Sequence, residues 1–313
     1  MTRPERGVPS RCFPRHSWGR TDPVLTIRLD RVRVLSWAKA GRKLPRIREF
    51  NVVSDHRLRP RDGPVTYARV RELKSLLSGA RVFWQYRPRR GWLKQWRITL
   101  VAQDQNGIDP FDILQILKRC HYFRFVLVEL AFDFAEESGV GPTFVRQHGK
   151  FGKSRRRFDR GGSKQLRYGT RRSGKLVRSY WKEEVEAYRV ELELHSRLLL
   201  EANSKTKEKN YEFIDVPNHI FPIHIEKHFR FVRIRWRALK RYLLRRFGRR
   251  GQTILHVARS KAQQSLGSVT AFLGSEGVVN VHRFLKPMLI NKLIDRALTD
   301  WFRDFRDAWN KLQ

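Results

Sequence analysis

The sequence predicts an α+β fold: an antiparallel sheet with flanking helices, followed by a helical C-terminal region. Three observations carry this. Short runs of β-branched and aromatic residues alternate with polar ones through the first two thirds of the chain, separated by turn-forming clusters. An Asp109-Pro110 pair marks a helix start among them, an N-cap residue followed by proline at the first helical position. Beyond Leu198 the apolar spacing changes to the three-and-four step of an amphipathic helix. The 313 residues suffice for one large domain or two modest ones. They divide into a disordered basic arm over 1–22, an α+β domain over 23–200 and a basic helical region over 201–313.

Taken in order, Val24–Trp37 alternates and reads as strand, with a break near Asp30-Arg31. Lys39–Pro64, with its Gly, Pro and charge, reads as loop. Val65–Leu77 repeats Val70, Leu73, Leu76 and Leu77 at helical spacing, with Gly79 as a stop. Arg81–Tyr86 and Leu93–Ala102 form a hairpin about a Pro- and Gly-containing turn. The helix opened by Asp109 runs to about Cys120, and Arg124–Phe134 is a long apolar strand suited to the middle of a sheet. Gly139–Lys164 reads as a basic loop or hairpin tip. Residues 165–170, 175–182 and 188–195 read as three strands. Pro222–Phe247 holds a long basic amphipathic helix and Leu289–Leu312 is a final one, with Leu289, Leu293, Ala297, Trp301 and Phe305 as its core-facing stripe. No internal repeat is read from the sequence.

The charge narrows the partners. Lys and Arg number 67 against 30 Asp and Glu, for a formal net charge of +37. A compact state so charged repels itself without counter-charge, and nucleic-acid phosphates are the usual supply. The 20 Phe and 9 Trp argue against a disordered chain. No apolar run approaches the roughly 18 residues that cross a bilayer, so a membrane is not expected. Cys12 and Cys120 form neither a disulfide framework nor a zinc site, and the expected compartment is reducing and cytoplasmic.

Basic residues concentrate in two places. Arg146 to Lys182 holds fourteen Lys and Arg with Asp159 the one acid, including Arg155, Arg156, Arg157, Arg171, Arg172 and Lys175. Phe229 to Arg250 holds ten and no acid, including Arg233, Arg237, Lys240 and Arg241. On a helix Phe231, Ile234, Leu239, Leu243 and Leu244 pack inward while these cations fan out to grip phosphates. Trp84, Tyr86, Trp92 and Trp96 are either base-stacking platforms or hairpin core.

Carboxylates stand inside this cationic background. Strand alternation puts Glu129 and Asp133 on one face, and places Glu191 and Glu193 on one face of the next candidate strand. Four such oxygen donors suit Mg²⁺ or Mn²⁺; an ordinary solvated polar face is the plain alternative. A hairpin turn near Glu183–Ala187 puts Tyr180 near Glu191 and Arg178 near Glu193, with Lys182 on the same face. Tyr180 is then either a packing residue or a nucleophile.

These segments resemble Rep_trans-type rolling-circle replication initiators and their relaxase relatives over roughly residues 120–200. Tyr168-Gly169-Thr170-Arg171-Arg172-Ser173, Arg178-Ser179-Tyr180-Trp181-Lys182 and Arg189-Val190-Glu191-Leu192-Glu193-Leu194 are similar to that family's successive strands, and Glu129 with Asp133 to its earlier acidic strand. Thr170 stands where the family has serine, Trp181 is bulky, and His219, His224 and His228 do not form the His-hydrophobe-His motif of the wider rolling-circle class. The resemblance implies that Tyr180 attacks a phosphodiester of single-stranded or hairpin origin DNA, leaving a 5′-phosphotyrosine and a free 3′-hydroxyl. A divalent metal on Glu129, Asp133, Glu191 or Glu193 polarises the phosphate, and Arg178 and Lys182 steady the developing charge. A helicase partner and a homodimer belong to the same expectation. The alternative class is a non-catalytic, strongly basic RNA- or DNA-binding protein.

Overall fold

The structure is a computed structural model. It describes residues 24–37, 47–58, 67–88, 95–103, 107–120, 122–151, 155–160, 163–195, 198–199 and 228–312. The expected arm over 1–22 lies outside the described residues, as do Cys12, Trp92, His219 and His224.

The expected α+β class holds. One ten-stranded antiparallel sheet runs β2-β3-β4-β5-β1-β6-β10-β9-β8-β7. Its strands are β1 (Leu25–Trp37), β2 (Phe50–Arg57), β3 (Tyr67–Ser75), β4 (Arg81–Pro88), β5 (Gln95–Val101), β6 (Tyr122–Phe134), β7 (Arg155–Arg160), β8 (Ser163–Thr170), β9 (Lys175–Lys182) and β10 (Ala187–His195). The plan repeats. β1 and β6, each 13 residues long, pair at the centre. Each is followed by a four-strand meander whose last strand, β5 or β10, returns to pair with it. The duplication is one of topology, invisible as sequence similarity.

Helix α1 (Pro110–Leu117) joins the halves. Its start is as the sequence predicts: the Asp109 side chain accepts from the Phe111 N–H at 2.7 Å, with proline at the first turn. A second helix, α2 (Pro142–His148), occupies part of the stretch read as a basic loop or hairpin tip, where β7 also pairs with β8 as a hairpin.

Three other expectations are overturned. The described part of the segment read as a helix over Val65–Leu77 instead holds β3 (Tyr67–Ser75), which buries Tyr67 and Leu73 on one face and Val70 on the other while Leu76 and Leu77 are exposed. Pairing with β2 and β4 supplies the hydrogen bonds that decide the backbone. Strand β2 itself lies inside the segment read as loop; it is the mostly exposed edge, so its apolar signal is weak. The basic helix within Pro222–Phe247 spans Trp236–Phe247, so Phe231 and Ile234, expected on its inner face, precede it.

A second, smaller core follows. Strand β11 (Val232–Ile234), helices α3 (Trp236–Phe247), α4 (Arg250–Gln264) and α5 (Leu266–Ser275), and strand β12 (Leu285–Pro287) enclose Leu239, Leu243, Ile254, Ala258, Val269 and Phe284. The final helix, α6 (Ile290–Leu312), leaves this unit and packs on α1 and β1. There Ile294, Trp301, Phe305 and Trp309 join the sheet's core. Leu289, expected in that stripe, is 82% exposed because it precedes the helix. Phe229 and Phe231 insert into the same core, Phe229 stacking on Phe132 at 4.3 Å. Asn291 clamps the Phe231 backbone, accepting from its N–H at 2.8 Å and donating to its carbonyl at 2.7 Å. The two cores are therefore tied at both ends of the smaller one.

Candidate active site

The alternation read in β6 and β10 holds. Val128, Leu130, Phe132 and Phe134 with Val190, Leu192 and Leu194 build the apolar face. Glu129, Asp133, Arg189, Glu191 and Glu193 occupy the other, and all five are buried. A buried charge survives only when paired or bound to an ion.

Two clusters, bridged by Arg189, hold these groups. In the first, Asp133 accepts from Arg189 Nε at 2.6 Å and from a terminal Arg189 nitrogen at 2.8 Å, and also pairs with Arg28. Both oxygens of Asp133 are thereby occupied by guanidinium groups. In the second, Asp30, Glu129 and Glu191 each bring a carboxylate oxygen within 4.8 Å of the others. The oxygen-rich cluster thus takes Asp30 in place of Asp133 and Glu193.

Asp30 reaches the cluster through a β-bulge. Leu29 pairs with Leu130 and Arg31 with Glu129, so Asp30 is the extra residue between them. Such a bulge re-aims a side chain. It is braced from behind: the Ala102 N–H donates to the Asp30 carbonyl at 2.9 Å and the Ile108 N–H to the Leu29 carbonyl at 2.8 Å. Gly107 permits that approach, since a Cβ there would lie 3.0 Å from the Leu29 oxygen, at a φ of +82°.

Arginines surround the three carboxylates. Arg178 contacts Glu129 and lies 2.8 Å from Glu191 Oε2. Arg31 approaches Glu129 Oε2 at 3.3 Å, and Arg189 approaches Asp30 Oδ2 at 3.1 Å. Glu129 Oε2 and Glu191 Oε2 are nonetheless buried without a hydrogen bond. Burial, reinforced by the charge of Glu191, pushes the Glu129 carboxyl up to about 7 against the pull of Arg178 and Arg31. Burial raises Glu191 as well. Arg178 is raised too: burial would lower it, but Glu191 and Glu129 hold it above its ordinary value.

Tyr180 lies on β9 beside this cluster, half-buried, and its hydroxyl donates to Glu191 Oε1 at 2.5 Å. The register differs from the expected one by two residues. Tyr180 is opposite Arg189, and Arg178 is opposite Glu191. A two-residue shift keeps the face, whereas one residue would have reversed it. Burial and the neighbouring Glu191 charge push the phenol above its ordinary value.

The remaining candidates are dispersed. Glu193 pairs with Arg171 at 3.2 Å and lies 2.7 Å from His195 Nε2. Burial would raise its pKa, but the His195 hydrogen bond and the Arg171 charge bring it down to about 2. Lys182 ends β9 opposite Ala187, and no ion pair among the described residues joins it to the carboxylates. Lys175 points its amine at the His228 carbonyl, 3.4 Å away. Arg172 is exposed on the β8–β9 turn. Arg155, Arg156 and Arg157 lie on edge strand β7, whose side chains are outside the described set. Arg233, Arg237, Lys240 and Arg241 are exposed on β11 and α3. Trp84, Tyr86 and Trp96 are buried, with Trp84 edge-on to Trp96 at 5.4 Å, so they are core.

Sequence reasoning missed Asp30, Arg189 and Arg28. The visible signal for Asp30 was the interruption of an apolar strand by an acid. No protein-family model matches the chain, and no curated protein matches it. No helix among the described residues is long and apolar enough to cross a membrane.

Proposed function

We propose that the chain nicks and rejoins single-stranded DNA, with Tyr180 as the nucleophile and a divalent cation at Asp30, Glu129 and Glu191, in the manner of a rolling-circle replication initiator or relaxase. The observation that carries the reading is the hydrogen bond from Tyr180 to a glutamate that itself belongs to the oxygen cluster. The donor set fits Mg²⁺ or Mn²⁺: three carboxylates, two of them with a buried oxygen that accepts no hydrogen bond. When bound, such an ion supplies Lewis-acid polarisation of a phosphate oxygen.

The chain's own residues supply the rest. Tyr180 Oη bonds to phosphorus as the bond from phosphorus to the 3′ oxygen breaks. The phenolic proton passes to Glu191, and the 3′ oxygen takes a proton from solvent. The products are a 5′-phosphotyrosine and a free 3′-hydroxyl. A phenol held above its ordinary pKa does not ionise beforehand, so its proton leaves as the new bond forms. Arg178 and Arg189 flank the developing charge.

The raised phenol also favours the second reading, a protein that binds nucleic acid without cutting it. One experiment separates the two. A 3′-labelled single-stranded DNA library of random sequence is incubated with the protein in Mn²⁺, then denatured and resolved by mass. The proposal expects a covalent protein–DNA adduct that chelator and Tyr180→Phe both abolish. Binding without any adduct supports the second reading, and an equal adduct with Tyr180→Phe removes Tyr180 from its role.

A further inference from the structure

Beside the second core lies a cavity of about 890 Å³ between α2, β11, α3, α4 and β12. That is within the roughly 300–1,000 Å³ of ligand pockets. Its charge is one-sided. Arg233, Arg235, Arg237, Arg241, Arg259 and Lys286 line it, and no carboxylate does. Among the described residues none of the six is ion-paired with an acid. Two of them meet head-on: Arg233 is directly opposite Lys286 in the β11–β12 pair. Like charges at that position destabilise a ladder unless an anion lies between them.

The lining also contains one large aromatic, Trp236, in the first turn of α3. It is half-buried, with the Arg259 guanidinium carbon 5.9 Å from its ring centroid. Cations that track phosphates beside an aromatic ring on which a base stacks are how unpaired strands are held. A duplex keeps its base faces stacked inside and offers nothing to such a ring. The exposed cations of α3 continue past the cleft through Lys240 and Arg245, giving the backbone a track to follow.

We infer that this cleft is a binding site for single-stranded nucleic acid, with Trp236 stacking on a base and the arginines of β11, α3 and α4 holding the adjoining phosphates. It is built from different elements than the tyrosine centre. Its test reads binding alone, so failure of the cleft and failure of the nicking chemistry are distinguishable.

The measurement is fluorescence anisotropy of labelled oligothymidylate with the full-length protein in chelator, where no metal-dependent cleavage occurs. Trp236→Ala is expected to weaken binding about tenfold, the loss of one base stack. Arg237→Glu with Arg241→Glu is expected to weaken it further and to flatten the salt dependence, whereas Arg241→Lys keeps most of the affinity. Arg306→Glu, an exposed charge reversal on α6, controls for net charge. Unaltered thermal melting of each variant excludes misfolding. Oligouridylate in a parallel arm tells DNA from RNA as the bound strand. The proposal is overturned if Trp236→Ala binds like the parent, if Arg306→Glu weakens binding as much as the cleft reversals, or if a blunt duplex binds as tightly as the single strand.

Discussion

Tyr180 and Glu191 lie on adjacent strands but not opposite one another: Tyr180 faces Arg189 across the ladder, and its hydroxyl reaches diagonally to Glu191 at 2.5 Å. The diagonal leaves Arg178 opposite Glu191, so a single glutamate receives a phenol on one oxygen and a guanidinium near the other. If Glu191 accepts the phenolic proton, Glu191→Gln lowers the rate of adduct formation by about 10²–10⁴-fold. Its affinity for single-stranded DNA in chelator stays near that of the parent. A rate within threefold of parent, on the order of 0.6 kcal/mol, removes Glu191 from proton transfer.

The oxygen cluster predicts ion-dependent stability. Anything bound to the folded state alone stabilises it, by about 2.7 kcal/mol at a hundred times its dissociation constant. Mn²⁺ is expected to raise the melting temperature by several degrees and Asp30→Asn to cancel most of that rise. Asp133→Asn is expected to leave the Mn²⁺ increment in place, because Asp133 is engaged by Arg189 and Arg28. Equal loss of the increment in both variants would place the ion elsewhere.

The same carboxylates set a pH dependence. Glu129 titrates at about 7 against an ordinary 4.5, with burial the first cause. The folded state therefore holds this proton more tightly than the unfolded chain. The resulting stability is complete below about pH 4.5 and lost as pH rises through 7. Glu191 is shifted in the same direction. Glu193, lowered to about 2, does the reverse and contributes above about pH 4.5. In chelator, melting temperature should fall between mildly acidic and mildly alkaline buffer, and Glu129→Gln should flatten that slope. Mn²⁺ should flatten it too, since ion binding releases the protons. An unchanged slope in Glu129→Gln contradicts the assignment.

Arg189, 1% exposed, tests the neighbouring cluster. Its fork holds both oxygens of Asp133 and also reaches Asp30. Arg189→Met keeps the volume but leaves Asp133 short of its main partner, and should cost about 3–5 kcal/mol in urea unfolding. A loss below about 1 kcal/mol, as exposed pairs show, would mean that Arg28 alone suffices for Asp133.

What the sequence disclosed follows from which signals are local. The period of two in 124–134 and 188–195 identified both strands and which side chains share a face, because alternation is written directly into residue types; that the carboxylate face is itself buried was not legible there. Asp109-Pro110 likewise marked α1. The Tyr180 register came within two residues because hairpins are set by their turns, and here the turn Glu183–Val185 with Glu186 at positive φ is tighter than the one assumed. Signals that depend on distant chain were lost. β3 carries charged residues between its apolar ones and mimics a helix until its partners are known. Asp30 belongs to the site only because a bulge turns it there, and a bulge is visible only against the neighbouring strand. Phe229 and Phe231 suit either a helix face or a plug, and their choice depends on the sheet core they enter.

The doubled strand plan has a consequence for the cluster. Asp30 comes from the first half of the sheet and Glu129, Glu191 and Tyr180 from the second, with β1 against β6 as the seam. Neither half can assemble the three oxygens alone. Ion affinity thus becomes a gauge of whether the seam is closed: a chain severed between the halves would regain it only as the pieces come back together.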